Sequence, residues 1–195
     1  MNYSFFAMVS RMKYIDRWAR MRNTENESLD SHSKEVAVIA HALAFIGNKR
    51  FGKNYNTYRA AVLGPYHDAH EIITGDMPTP VKYFNPEIRS AYQAAEESAC
   101  QRLVDCLPED MREDIAPYIF ADRDEEYRPF IKAADKLSAL AKCVEERGMG
   151  NREFKDAEKA TVAHIREMKL GAADVFLDTF MEAYGLTLDE LTDRA

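Results

Sequence analysis

The stretch AAVLGPYHDAHE, residues 60–71, decides how this chain is read. Ala60, Leu63, Gly64 and His67 recur at three- and four-residue spacing, so they share one face of a helix, and Glu71 continues that face one turn later. The face is small and apolar, which predicts inward packing, and Gly64 leaves room for a second helix to come close. His67 then points into the protein, with Asp68 at the edge of the same face. Pro65 removes a backbone donor and predicts a kink just before the polar pair. The helix is expected over about 56–73, ending near Gly75, before a loop stiffened by Pro78 and Pro80.

Working outward, nearly every segment repeats the helical spacing, and no convincing alternating strand pattern or internal repeat interrupts it. A first helix is expected over 3–22, with Phe6, Val9, Met12 and Ile15 near one stripe. Residues 23–30, NTENESLD, read as a polar loop. Asp30 or Ser31 can cap a helix running to about Ile46, with Val36, Ile39, Ala40 and Leu43 on its buried face. GNKRFGKN reads as a break, and 80–84 as a connector. Helices are expected over about 86–106 and 108–119. After the polar entry ADRDEEY come further helices over 128–147 and 151–184, with a short one after Gly185. The fold class is therefore all-α, a bundle of about eight helices in a single domain spanning residues 1–195.

Two more polar side chains fall on inward faces. His32 lies four residues before Val36, on the Val36–Ile39–Leu43 face. Asp135 follows Ile131 by four and precedes Ser138 by three, within IKAADKLSALAKCV. A carboxylate on an apolar face is costly to bury unless its charge is compensated. Taken singly, a histidine of this kind reads as a hydrogen-bonded core residue, and Asp135 as an ion-pair partner of Lys132 or Lys136. Taken together, His32, His67, Asp68 and Asp135 could supply one another's partners, and the simplest common partner is a divalent metal. Two imidazoles and two carboxylates suit Co, Mn, Fe, Ni or Zn better than Mg, which prefers oxygen ligands.

Composition bounds the function classes. The 195 residues carry 26 Lys plus Arg against 33 Asp plus Glu, a formal net charge of −7, so no basic face for a nucleic-acid polymer is evident. Small phosphorylated substrates stay open, because a few arginines can hold one phosphate. The three cysteines have no CxxC spacing and read as free thiols. No run approaches a membrane span, the N-terminal segment lacks the apolar core of a signal peptide, and the expected location is the cytoplasm.

The order His32, then His67-Asp68, then Asp135 resembles the H…HD…D signature of the HD-domain metal-dependent phosphohydrolases, an all-α superfamily. Four dispersed blocks, RWARMRN (17–23), HDAHE (67–71), TGDMPTPVKYF (74–84) and KAADKL (132–137), are similar to the bacterial 5′-deoxynucleotidases of that superfamily, over most of the chain. The resemblance implies an HD-domain-like helical bundle in which His32, His67, Asp68 and Asp135 hold one divalent transition metal, cobalt being favoured in vitro. It implies that Arg17 orients the substrate phosphate, that Trp18 packs against sugar or base, and that Glu71 serves in proton transfer or water positioning. Asp76 would contact the 3′-hydroxyl and exclude a 2′-hydroxyl, with Pro78 and Thr79 completing the substrate loop. Lys82 either touches the phosphate or stays in solvent. The implied activity is hydrolysis of deoxynucleoside 5′-monophosphates by a homodimer. Alternatives are another HD-domain nucleotide phosphohydrolase, acting on triphosphates or a signalling nucleotide, or a silent nucleotide-binding module. Two features depart from the family pattern: His70 in place of a serine, and Gly64-Pro65 in place of larger residues.

Overall fold

The structure is a computed structural model and describes residues 3–193. Among these residues there is no strand, only an isolated antiparallel bridge between Asp16 and Ser28. The chain opens with α1 (Phe5–Val9) and a 3-10 turn, Ser10–Tyr14. The central helix α2 (Leu29–Phe51) is followed by α3 (Thr57–Leu63), a 3-10 turn over Gly64–Tyr66, and the short helices α4 (Glu71–Thr74) and α5 (Thr79–Lys82). Then come α6 (Pro86–Asp105), α7 (Glu109–Ile119), α8 (Arg128–Gly148), α9 (Lys155–Glu167), α10 (Gly171–Phe180) and α11 (Leu188–Thr192). No helix among the described residues is long and apolar enough to cross a membrane.

Helix α2 is the axis of the bundle and packs most extensively on α8, then on α3 and α10. Its apolar positions Val36, Ile39, Ala40 and Leu43 are fully buried, as their spacing predicts. They join Leu63 of α3 and Phe130, Ile131, Leu137 and Leu140 of α8 in the larger core cluster. A second cluster gathers Phe5, Met12, Leu29, Ala69 and the Cys100–Leu103–Val104 face of α6. Leu29 and Val36 belong to different clusters, and so do Leu63 and Ala69. His32 and His67-Asp68 therefore lie at the seam where two apolar cores meet.

Several boundaries differ from expectation, each for a physical reason. The 3–22 helix stops at Tyr14, because Ile15 turns extended and Arg17 pairs its backbone with Glu27. Phe6 is 60% exposed, while Phe5 and Met12 carry the buried stripe. Ser28, not Asp30 or Ser31, caps α2, through reciprocal bonds with Ser31. The helix runs through Gly47 to Phe51 and ends on the left-handed Gly52. The expected 56–73 helix is cut at Pro65, which breaks it more completely than a kink. Residues 79–82 of the expected connector coil into α5. The expected 151–184 helix divides at Lys169, whose φ of 52° ends α9 before α10 begins.

Candidate metal centre

Two pieces of local chemistry bring the polar residues together. The Ser28–Ser31 capping box fixes the start of α2 and seats His32 one turn in, fully buried. Gly64 is the second. A Cβ there would lie 2.4 Å from Ala37 Cα and 2.5 Å from Ala37 N. Only glycine lets the turn after α3 touch the backbone of α2, and this contact delivers His67 and Asp68 beside His32.

The result is a cluster in which one ligand atom from each of His32, His67, Asp68 and Asp135 lies within 4.8 Å of every other. His32 Nε2 is 3.3 Å from Asp135 Oδ1 and 4.0 Å from Asp68 Oδ2. His67 Nε2 is 3.0 Å from Asp68 Oδ2. Each imidazole is tied from behind. His67 Nδ1 meets the Gly64 carbonyl at 2.7 Å, and since a carbonyl only accepts, Nδ1 donates. His32 Nδ1 meets Ser138 Oγ at 2.9 Å. Both Nε2 atoms are buried with no hydrogen-bond partner, although native interiors rarely leave such atoms unpaired. Two orphaned imidazole nitrogens facing two carboxylates, at a spacing compatible with coordination bonds of about 2 Å, fit a divalent transition metal.

Electrostatics divide the two imidazoles. Burial, aided by the Arg17 charge, pushes His32 down, whereas the Asp68 carboxylate outweighs burial and pulls His67 up. Burial opposes ionisation of Asp68 and Asp135, yet His67 at Asp68, and Lys136 with Arg17 at Asp135, hold both carboxyls below the usual range. Lys136, one of the two lysines considered for Asp135, pairs with it at 2.9 Å, whereas Lys132 turns to Asp122.

Of the other expected residues, Arg17, Glu71 and Asp76 are coupled to this cluster, and Trp18 is tied to Arg17 through a shared carboxylate. Arg17 has a side chain only 10% exposed and directs Nη1 to within 4.0 Å of Asp68 Oδ2. Burial works against its charge, but Asp135, Glu27, Asp68 and Asp76 keep it cationic. Trp18 sits in the left-handed region, φ 57°, which is strained for a bulky residue. Its indole meets the Phe154 ring edge to face, centroids 5.2 Å apart. Glu71 is 6% exposed and one of its oxygens has no partner. Burial, with the Asp68 and Asp76 charges, raises its carboxyl to about 10. Asp76 is half-buried and raised chiefly by burial, with Arg17 opposing. It follows Gly75, whose φ of 74° turns the chain, while Pro78 precedes α5 and Thr79, which is exposed, begins it.

Two further residues meet Glu96. Lys82 does not stay free in solvent but pairs with Glu96 and lies 4.9 Å from the Tyr92 ring centroid. His70, where the chain departs from the family pattern, is buried. With Asp68 and Glu71 it forms an overlapping group of possible ligands. However, its Nε2 lies 3.4 Å from Glu96 Oε1. Burial lowers its pKa, but Cys100 and Glu96 raise it more, to about 9. At neutral pH His70 is thus a cation paired with Glu96, not a free lone pair.

One residue that sequence reasoning passed over is Glu27. Its Oε2 accepts from Arg17 Nε at 3.0 Å and from Trp18 Nε1 at 2.9 Å. Its backbone carbonyl accepts from Arg17 N at 2.9 Å. One carboxylate thereby orients both side chains expected to meet substrate. The only trace in the sequence is its place in a polar loop ten residues on, which marks it as nothing special.

The sequence profile of the 5′-deoxynucleotidase YfbR-like family matches residues 4–184. The chain is 46% identical over 189 residues to 5′-deoxynucleotidase VV1113 of Vibrio vulnificus, covering 96% of this chain and 97% of that one. Among solved structures it is similar to an HD-domain phosphohydrolase from Listeria innocua, with a TM-score of 0.81, 21% identity and 98% of each chain covered. It is also similar to the cyanophage S-2L HD phosphohydrolase DatZ, bound to dA and one catalytic Zn2+, with a TM-score of 0.65, 17% identity, and 91% of this chain and 96% of that chain covered. Shared sequence over nearly the whole length, on the fold and cluster just described, places the chain in the YfbR-like family of 5′-deoxynucleotidases.

Proposed function

We infer that the protein is a metal-dependent 5′-deoxynucleotidase that hydrolyses deoxynucleoside 5′-monophosphates to deoxynucleosides and phosphate. The observation that carries this reading is the pair of imidazoles, each tied through Nδ1, that present unpartnered Nε2 atoms to two carboxylates beside a buried arginine, in a member of this family. His32, His67, Asp68 and Asp135 would hold the metal. A divalent transition ion bound there supplies charge neutralisation to the phosphoryl group and acidifies water for attack.

The chain's own residues do the rest. Arg17 stays charged and, with Nε held by Glu27, turns its remaining donors toward the centre, where a planar guanidinium can grip two phosphate oxygens. Glu71 carries a carboxyl whose proton is held by burial, and it moves that proton at the reacting oxygen. Trp18 covers the sugar or base with the ring face not packed on Phe154. Asp76 accepts the 3′-hydroxyl hydrogen bond and leaves no space for a 2′-hydroxyl, and Pro78 and Thr79 hold its loop. We further read residues 1–195 as one domain, the protein as a cytoplasmic homodimer, and cobalt as the ion most active in vitro. The unpaired Cys100, Cys106 and Cys143 support a reducing compartment.

The test is phosphate release from dAMP, dGMP, TMP and AMP with Co2+, Mn2+, Ni2+, Zn2+ or Mg2+ supplied in turn. Metal-dependent release from the three deoxynucleotides, with little from AMP, is expected. Turnover of triphosphates alone, or none with any ion, would overturn the reading.

A further inference from the structure

Behind His32 lies a chain of hydrogen bonds that leaves the cluster. His32 Nδ1 meets Ser138 Oγ at 2.9 Å, and Ser138 Oγ donates to Glu35 Oε2 at 2.6 Å. His32 and Ser138 are both completely buried, so neither can exchange its partner for water. A hydroxyl has one hydrogen. Burial raises the Glu35 carboxyl to about 7, so above that pH the hydrogen goes to the Glu35 carboxylate, Ser138 Oγ is left as an acceptor toward the ring, and His32 Nδ1 is the donor. The other ring nitrogen, Nε2, keeps its lone pair and faces Asp135 and Asp68. The placement is reciprocal. Glu35 follows His32 by one turn on α2, and Ser138 follows Asp135 by one turn on α8, so each helix carries one cluster residue and one member of the chain behind it.

We propose that Ser138 and Glu35 are positioning residues that lock His32 as the Nδ1–H tautomer and so present Nε2 to the metal. The inference rests on the reading of the four-residue cluster as a metal site. Without the lock, the neutral ring's better alternative is to place its proton on Nε2, 3.3 Å from Asp135 Oδ1, which blocks the lone pair a metal needs. Outer partners of this kind are worth about 10- to 100-fold in metal affinity.

The experiment uses the full chain stripped of metal by a chelator and titrated calorimetrically with Zn2+ and with Mn2+. The wild type, Ser138→Ala and Glu35→Ala are compared. Both variants are expected to bind about 10- to 100-fold more weakly. Imidazole 15N shifts of the metal-free chains, at mildly alkaline pH, are expected to report His32 as the Nδ1–H form in the wild type and as a mixture or the Nε2–H form in Ser138→Ala. A purely structural contribution from Ser138 would lower stability without moving the tautomer. Glu35→Ala, at a partly exposed position, removes the acceptor of the Ser138 hydrogen and serves the same test should Ser138→Ala not fold. Equal metal affinity in wild type and variant, or an unchanged tautomer, overturns the relay while leaving the metal site intact. A wild type that binds neither ion overturns the metal-site reading and the relay with it.

Discussion

Helix α8 carries charge inward at two places along its length, and the two are built on opposite plans. Near its C-terminal end, Glu146 is completely buried, yet both of its oxygens are occupied. They accept from Thr24 N at 3.0 Å, from Asn151 Nδ2 at 2.6 Å and from Lys142 Nζ. Lys142 in turn donates to the Glu25 carbonyl at 2.6 Å. Two turns into the helix, Asp135 joins a group in which His32 Nε2 and His67 Nε2 face carboxylates without a hydrogen-bond partner. A buried charge whose bonds all close within the protein is a fastening, here pinning residues 24 and 25 to the bundle. A buried group whose bonds stay open is waiting for something the chain does not supply. Counting buried charges would not separate the two places, whereas asking where each hydrogen bond goes does.

The contrast can be broken most forcefully at the open end. Asp68→Ala is expected to lower phosphate release by at least about 1000-fold, since an ion in such a site stabilises the transition state by several kcal/mol. Far-UV circular dichroism should remain that of the wild type, and a variant that unfolds would show Asp68 to be a fastening as well. At the closed end, Glu146→Ala is expected to cost about 3–5 kcal/mol of stability in denaturant titration, because it strands the buried Lys142 ammonium. Little loss would mean that Lys142 reaches water. The pH dependence sharpens the same point. Burial disfavours the Glu146 carboxylate, but its bonds to Lys142, Asn151 and Thr24 outweigh this and lower its pKa to about 2 from 4.5. A depressed carboxyl contributes stability above its unfolded pKa and loses it on acidification. The wild type should therefore weaken between pH 4.5 and 2 more steeply than Glu146→Gln. The smallest effect is expected between the two extremes, at half-buried Asp76. Asp76→Ala should raise the AMP-to-dAMP rate ratio about 10-fold, the scale of one hydrogen bond plus relieved crowding, while leaving melting temperature nearly unchanged.

The site was largely legible before any coordinates. His32, His67 and Asp135 declared themselves because each occupies a position that helical spacing assigns to the core, and Asp68 adjoins one of them. Gly64 was likewise read correctly as a point of close approach. What sequence did not reveal acts across long separations. Glu27, Glu35 and Glu146 look alike on paper, three glutamates in polar surroundings. They differ only in what folding brings against them: Arg17 and Trp18, Ser138, and Lys142 with Asn151. Helix ends were missed where backbone dihedrals rather than composition decide them. Lys169 in a left-handed conformation splits the last long helix, and nothing in REMKLGA, residues 166–172, marks lysine rather than glycine for that task. Ser28 escaped as a cap because its partner three residues on is serine rather than the usual glutamate.

Gly64 against Ala37 also acts as a gauge block. Because the two elements meet backbone to backbone, no side chain intervenes whose rotation could widen or narrow the space between His32 and His67. The aperture is set by main-chain thickness, which neither mutation of the surroundings nor a change of rotamer can tune. Widening it would shift α2 bodily against α3, disturbing the apolar packing of Val36, Ala40 and Leu63 at the same time. The spacing of the two imidazoles is thereby linked to the rigidity of the whole core.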